Sequence, residues 1–136
     1  MKTIIYTLVL MMGSFIYGQE HAVITVNVNN VTNDEGKIYF GLYNTKDGFL
    51  KMPFKAAGSS IKEGTASVTF EDIAPGEYAI TCFHDTNGNQ RMDFETNGMP
   101  KEDYGVSNNE MLMGPPTWES AKFTMTDAPL EMEIRL

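Results

Sequence analysis

The amino-acid sequence predicts an all-β fold, an antiparallel β-sandwich or barrel. Its apolar residues recur at every second position in six short rows, which occupy residues 22–28, 38–42, 66–70, 78–82, 121–125 and 130–136. Alternation with a period of two places one row of side chains on the core and the other in water, as in antiparallel sheets. No segment has a convincing helical period of three to four residues. Six such rows in one short chain are typical of a sandwich.

Turn-forming residues separate these rows. The Asn-Asp-Glu-Gly sequence at residues 33–36 predicts a β-hairpin between the first row and the second. Pro75 and Gly76 predict a tight β-turn before the fourth row, because proline presets φ and glycine accepts a positive φ. Residues 47–57 carry large apolar side chains without alternation. We interpret them as a segment that covers one end or edge of the sheets, with room for one helical turn.

The first eighteen residues differ in composition from the rest of the chain. Lys2 is their only charged residue, and residues 4–16 are an apolar stretch that is shorter than the roughly 20 residues needed to cross a bilayer. Ending at the small Gly18, this arrangement predicts a cleaved signal peptide at residues 1–18. We therefore expect a periplasmic or extracellular protein with one domain at residues 19–136 and no membrane contact after cleavage. A retained membrane anchor is the alternative.

The charge balance and the cysteine content limit the classes of function. Without Lys2 the chain keeps nine basic and eighteen acidic residues, a net charge of −9. A nucleic-acid-binding domain would carry clustered Lys and Arg, so we expect no nucleic-acid partner. Cys82 is the only cysteine, which excludes an internal disulfide. Stability must then come from packing, from a bound ion, or from both.

A long polar interval at residues 85–118 contains the candidate site. A loop of this length is unusual in a small domain unless it is structured for a function. With Asp85 counted as position one, side-chain oxygens recur at positions one, three, five and nine, and a backbone carbonyl lies at position seven. Ca²⁺ binds about six to eight oxygens, and this spacing is typical of a calcium loop. The predicted ligands are Asp85, Asn87, Asn89, the carbonyl of Arg91, Asp93 and Glu95.

Two departures separate this loop from an EF-hand. Gln90 occupies position six, where an EF-hand has glycine, and Thr96 occupies position twelve, where an EF-hand has a bidentate glutamate. Glu95, Glu102 or Asp103 would have to complete the shell of the ion. The same spacing of Asp and Asn also builds Asx-turns, so a polar loop without an ion is the alternative. Zinc is disfavoured, because it prefers His and Cys ligands, which are few here.

Other residues near this interval have two interpretations each. Cys82 and His84 lie two apart on one strand and could form a nucleophilic pair, although a buried thiol beside a rim histidine is the simpler interpretation. Trp118, Tyr104 and Phe94 could stack against a sugar, although aromatic residues of a small sandwich more often belong to the core.

Residues 98–109 are predicted to fold back over the 85–95 loop. Two glycines permit sharp turns there and a proline stiffens the segment. We expect Glu102 to lie near the ion or to pair with Arg91. A packed lid without a ligand is the alternative to a binding pocket. The residues predicted to support the loop are Glu102, Tyr104, Ser107, Asn108 and Asn109.

The order of these motifs resembles the DUF2141 family of bacterial exported proteins. The resemblance rests on the Pro-Gly-Glu-Tyr turn at residues 75–78, the His-Asp pair at residues 84–85, the Asn-Gly-Asn run at residues 87–89, and residues 98–109. It implies an antiparallel β-sandwich of about seven strands, prealbumin-like or immunoglobulin-like and related to transthyretin-like and carboxypeptidase-regulatory-like domains. It implies no particular activity.

Two classes of function are consistent with these patterns. The first is a secreted or periplasmic non-enzymatic module, stabilised by calcium in the 85–95 loop, that binds an unidentified protein, glycan or surface partner. The second is a metal-assisted hydrolase built on the same acidic loop. We predict the first, without catalytic residues; an open coordination position beside a cleft would favour the second.

Overall fold

The computed structural model describes residues 21–111 and 114–136, and the predicted signal peptide lies outside them. Between the sixth and seventh strands of this part of the chain lie a 3₁₀ turn at Ser107–Asn109 and a one-turn helix, α1, at Trp118–Ala121. The strands are β1 Ala22–Val28, β2 Lys37–Tyr43, β3 Lys55–Ser60, β4 Ala66–Ile73, β5 Gly76–Asp85, β6 Tyr104–Val106, β7 Phe123–Met125 and β8 Leu130–Glu133.

The strands form two sheets that pack on a shared apolar core, which confirms the predicted β-sandwich. One sheet has three strands in the order β4-β1-β8. The other has five, with the order β3-β2-β5-β6, and β7 pairs with the beginning of β5. Every paired strand is antiparallel to its neighbour except β1 and β8, which run parallel.

The predicted hairpin between the first two rows is wrong. β1 pairs with β4 and β8, whereas β2 pairs with β3 and β5, so residues 33–36 carry the chain from one sheet to the other. The local structure is still that of a turn, since the Asn33 side chain accepts a hydrogen bond from the amide of Glu35 and Gly36 has a φ of +70°. A turn signal specifies a reversal of the chain, but sequential strands pair only about two-thirds of the time.

Two strands lie where the alternation does not predict them. β3 has the sequence Lys-Ala-Ala-Gly-Ser-Ser, whose small side chains are alternately half-buried and exposed. It forms the edge of the five-stranded sheet, so the segment at residues 47–57 partly becomes a strand instead of only covering an edge. β6 is a three-residue strand within the long loop. The predicted row at residues 121–125 begins in α1, and only Phe123–Met125 is a strand.

The main core lies between the two sheets. The alternating positions of β1, β2, β4 and β5 point inward, as the sequence pattern predicts. Each large aliphatic side chain that is fully buried here stabilises the fold by about 1.5–3 kcal/mol. The largest fully buried apolar members are Ile24, Val26, Val28, Ile38, Phe40, Leu42, Ile73, Ile80, Met125 and Ile134.

A second apolar cluster, the outer cluster, covers one end of the outer face of the five-stranded sheet. Its residues are Tyr43, Phe49, Ala79, Val106, Trp118 and Ala121. The rings of Phe49 and Trp118 meet edge to face, with centroids 6.1 Å apart. A capping box between Thr117 and Ser120 starts α1 and holds Trp118 on the sheet. Trp118 is therefore a core residue and cannot stack against a sugar.

Candidate functional site

The candidate loop begins where β5 ends. Asp85 is the last residue of β5, and only 1% of its surface is exposed. A Cβ atom added to Gly36 would lie 2.0 Å from the carbonyl oxygen of Asp85, so these two segments touch through their backbones. The first residue of the loop is thereby fixed to the turn that joins the two sheets.

The carboxylate of Asp85 curls the loop around itself. It accepts hydrogen bonds from the amide of Gly88 at 3.1 Å and from the amide of Gln90 at 2.8 Å. Gln90 has a φ of +61°, the left-handed conformation that costs a residue with a Cβ roughly 1–2 kcal/mol. Position six of the loop therefore has a left-handed backbone even though its residue is not the glycine of an EF-hand.

Asn87, Asn89 and Asp93 form the centre of the loop. The side-chain nitrogen of Asn87 donates to Asp93 Oδ2 at 2.6 Å, and that of Asn89 donates to both Asp93 oxygens at 2.8 and 3.0 Å. The hydrogen bonds from Asn87 and then Asn89 are the main causes that lower the pKa of the Asp93 carboxyl below its usual value. Asp93 therefore stays ionised at neutral pH.

Glu102 closes the loop. Its two carboxylate oxygens accept from the amide of Thr86 at 3.0 Å and from the amide of Asp93 at 3.1 Å. The amide of Lys101 donates to the carbonyl of Asp93 at 2.8 Å, so the chain folds back over the loop before β6. Within the part of the chain that the structure describes, Glu102 binds these amides and forms no ion pair with Arg91.

The residues after Glu102 hold other parts of the molecule. Ser107 is fully buried and bonds to Ile80 in β5 and to Ala121 in α1. The side chain of Asn108 donates to two carbonyls, those of Ser120 and Lys122, at 3.0 and 2.9 Å. Ser107 and Asn108 therefore join α1 to the five-stranded sheet, and their side-chain hydrogen bonds do not reach the 85–95 loop among the described residues.

Asn109 and Tyr104 complete this segment. The Asn109 side chain donates to the carbonyl of Glu133, the last residue of β8, and accepts from the amide of Arg135 just after it. Tyr104 lies opposite Phe83 in the register of β5 and β6, and 38% of its surface is exposed. It is a residue of the sheet surface.

The structure brings together only part of the predicted ligand set. Asn87, Asn89 and Asp93 are in direct contact, and Asp85 is joined to them through the curled backbone. Arg91 and Glu95 are exposed, and the Glu95 side chain makes no hydrogen bond within residues 21–111 and 114–136. In the same residues, no three His, Cys, Asp or Glu side chains are grouped closely enough to hold a metal ion by themselves.

The chemistry of the donors nevertheless fits calcium. Carboxylates, Asn side chains and a backbone carbonyl are the hard oxygen ligands that Ca²⁺ prefers. The side-chain nitrogens of Asn87 and Asn89 face Asp93, so a cation at this point requires both amides to turn over and present their oxygens. Asn87 and Asn89 already use their oxygens to accept from the amides of Asn89 and Arg91.

Cys82 and His84 do not have the environment of a nucleophilic pair. Both are 2% exposed and face the core side of β5. Burial raises the pKa of the Cys82 thiol to about 12, and a hydrogen bond with the backbone of Gly105 only partly opposes this. The ring of His84 is bound through Nε2 to the carbonyl of Glu35 at 2.5 Å. The thiol is a small apolar core group at neutral pH.

The fold and the loop define a class of protein, a small β-sandwich domain with one long, hydrogen-bonded loop between β5 and β6. Residues 21–111 and 114–136 contain no helix with the length and hydrophobicity needed to cross a membrane. The profile of a family described as an uncharacterized protein conserved in bacteria, DUF2141, matches residues 26–133. The chain belongs to this family, which confirms the resemblance of its motifs. No curated protein and no solved structure matches it.

Proposed function

We propose that this chain is a non-enzymatic module that acts in the periplasm or outside the cell, that its 85–95 loop binds calcium, and that it binds a protein, glycan or surface partner. The observation that carries the calcium proposal is the contact of Asn87 and Asn89 with the Asp93 carboxylate at 2.6–3.0 Å. Three oxygen-bearing side chains from positions three, five and nine thus converge on one point.

Two further features support an ion at this point. The Asp93 carboxylate gathers the side-chain nitrogens of Asn87 and Asn89 around its negative charge, and a cation would take their place once both side chains turn their oxygens inward. The left-handed backbone at Gln90 gives the sharp turn that a calcium loop needs at position six. Extracellular calcium modules bind with dissociation constants of about 10⁻⁴–10⁻³ M, which is the range we expect.

Thermal unfolding with calcium and with a chelator tests this proposal. For a dissociation constant near 10⁻⁴ M, about 10 mM calcium should stabilise the domain by about 2.7 kcal/mol and raise the melting temperature by about 10 °C. Magnesium at the same concentration controls for ionic strength, and it should have a smaller effect because it demands a nearly octahedral site.

Variants locate the effect in the loop. Asp93→Asn should abolish the calcium shift, whereas Asp127→Asn, the same charge change at an exposed residue between β7 and β8, should preserve it. Gln90→Gly should strengthen calcium binding, because glycine adopts the φ of +61° without strain. An absent shift in the unmodified protein, or an equal shift in Asp93→Asn, would refute the calcium proposal.

A further inference from the structure

The outer cluster covers only one end of the outer face of the five-stranded sheet. On the rest of this face, Tyr39 and Gly41 are the outward positions of β2, and the register places Phe83 and Thr81 beside them on β5. Tyr39 also lies opposite Gly58 on β3. The small residues Gly41, Gly58 and Thr81 leave a groove of about 460 Å³ between the aromatic side chains, a volume in the range of ligand sites.

The aromatic rings that border the groove are held against glycines. A Cβ atom at Gly58 would lie 2.9 Å from the ring of Tyr39, and one at Gly41 would lie 3.2 Å from the ring of Tyr43. The rings of Tyr39 and Phe83 are 5.8 Å apart and tilted by 32°. Glycine within a strand marks a close approach of another group, and here that group is an aromatic ring at the groove.

The groove also has polar groups with no partner inside the described chain. The residues that line it carry four polar side-chain groups, which are the hydroxyls of Tyr39, Tyr43 and Thr81 and the amide of Gln90. None of them makes a hydrogen bond within residues 21–111 and 114–136, where no buried side-chain nitrogen or oxygen lacks a partner. These four groups are therefore reachable from the solvent and available to a ligand.

The groove is uncharged, although the protein is strongly acidic. None of the described residues that line it is Asp, Glu, Lys, Arg or His, whereas the whole chain has eighteen acidic residues. The field of such a chain disfavours an anionic ligand, and the lining offers no carboxylate to a cationic one. The ligand that fits this lining is neutral, with one apolar face and several hydroxyl groups.

We propose that this groove binds a neutral hexopyranose unit of a glycan. The C–H face of a pyranose ring packs on aromatic rings such as Tyr39 and Phe83, and its hydroxyls exchange hydrogen bonds with hydroxyl and amide groups. A glycan would be the partner of the module proposed above. The glycan proposal rests on that function only in its assumption that the domain binds a partner. Gln90 links the groove to the calcium loop, but the other contacts do not involve the ion.

Affinity electrophoresis in gels that contain a soluble neutral polysaccharide tests the proposal. The probes are an α-glucan, a β-glucan, a mannan and a galactan, each with and without a calcium chelator. At least one should retard the protein. Tyr39→Ala and Phe83→Ala should weaken that binding about tenfold, the loss of one aromatic contact. Thr81→Val, which keeps the side-chain shape, should weaken it several-fold, while Met111→Ala, at a fully exposed apolar residue outside the groove, should leave it unchanged.

Three results would overturn the glycan proposal. The first is no retardation by any of the four polysaccharides. The second is retardation that Tyr39→Ala leaves unaltered while thermal unfolding shows the variant to be folded. The third is a concentration-dependent dimer in sedimentation that Tyr39→Ala dissociates, which would make a second copy of the chain the occupant. Retardation that persists in chelator, with no thermal effect of calcium, would support the groove and refute only the calcium loop.

Discussion

Ser107 joins the long loop to the fold through two buried hydrogen bonds, and its substitution tests this packing. Its hydroxyl accepts from the amide of Ile80 at 3.0 Å and donates to the carbonyl of Ala121 at 2.5 Å. All three residues are fully buried. Ser107→Ala removes both hydrogen bonds and leaves a donor and an acceptor without access to water.

The expected loss of stability follows from the backbone amide and the backbone carbonyl that are left without a hydrogen-bond partner. A buried donor or acceptor without a partner costs about 1–3 kcal/mol, so Ser107→Ala should lower the free energy of unfolding by about 2–6 kcal/mol. Domains of this size are stable by only about 5–15 kcal/mol, so the loss is a large fraction of the total. The small cavity left by one hydroxyl adds little, because the change in volume is less than that of a methylene group.

Urea unfolding measures this loss through the midpoint and the slope of the transition. Ser67→Ala is the matched control, since the Ser67 residue is exposed and, among the described residues, its hydroxyl bonds only to the side chain of Asn27. It should change stability by no more than about 0.5 kcal/mol. A loss below about 1 kcal/mol for Ser107→Ala, with an unchanged slope, would contradict the buried bonding described here.

Two further predictions concern Gly105 and Cys82. A Cβ atom at Gly105 would lie 2.4 Å from the backbone carbonyl oxygen of Arg135. At Gly98 an added Cβ meets nothing within 4 Å, so Gly98→Ala costs only the strain of its φ of +86°. Gly105→Ala should therefore lower the melting temperature more than Gly98→Ala, and equal losses would refute this packing. Burial raises the pKa of Cys82 to about 12, so the native protein should not react with a disulfide reagent at pH 8 but should react in concentrated urea. Because the unfolded thiol ionises near pH 8.5, stability should fall as the pH rises above that value. Stoichiometric labelling of the native protein would contradict this burial.

The strands that the sequence predicts are those with one face on the core. β1, β2, β4 and β5 alternate strongly because their inward side chains are large and apolar. β3 is held by its backbone pairing with β2, and its Ala, Gly and Ser side chains contribute little to the core, so no alternation marks it. The residues of the turn after β1 likewise do not specify which strand pairs with β1, because long-range packing decides which sheet a strand joins.

In the candidate site, too, hydrogen bonds between residues close in sequence could be predicted, and those between distant residues could not. The spacing of Asp85, Asn87, Asn89 and Asp93 predicts a curled loop because these residues bond to neighbours at most six positions away. The left-handed Gln90 could not be predicted from its residue type, since the bond from its amide to Asp85 holds it there. The bonds from Glu102 to Thr86 and Asp93 depend on the loop folding back.

Two glycines in the sequence indicate the groove, although the alternation of apolar residues does not predict it. Gly41 lies within β2 and Gly58 within β3, and a glycine within a strand indicates that another group approaches closely. Only the register shows that both glycines lie beneath tyrosine rings on the same face.

The backbone contact between Gly36 and Asp85 couples two segments that are 49 positions apart in sequence. Asp34, in the same turn, accepts from the amides of Glu63 and Gly64, so displacement of the first loop residue would be passed to the connection between β3 and β4. Homologous chains should therefore accept insertions at the tip of the loop, near Gly98, more readily than at its entry. Changes at Gly36 and at Asp85 should be inherited together.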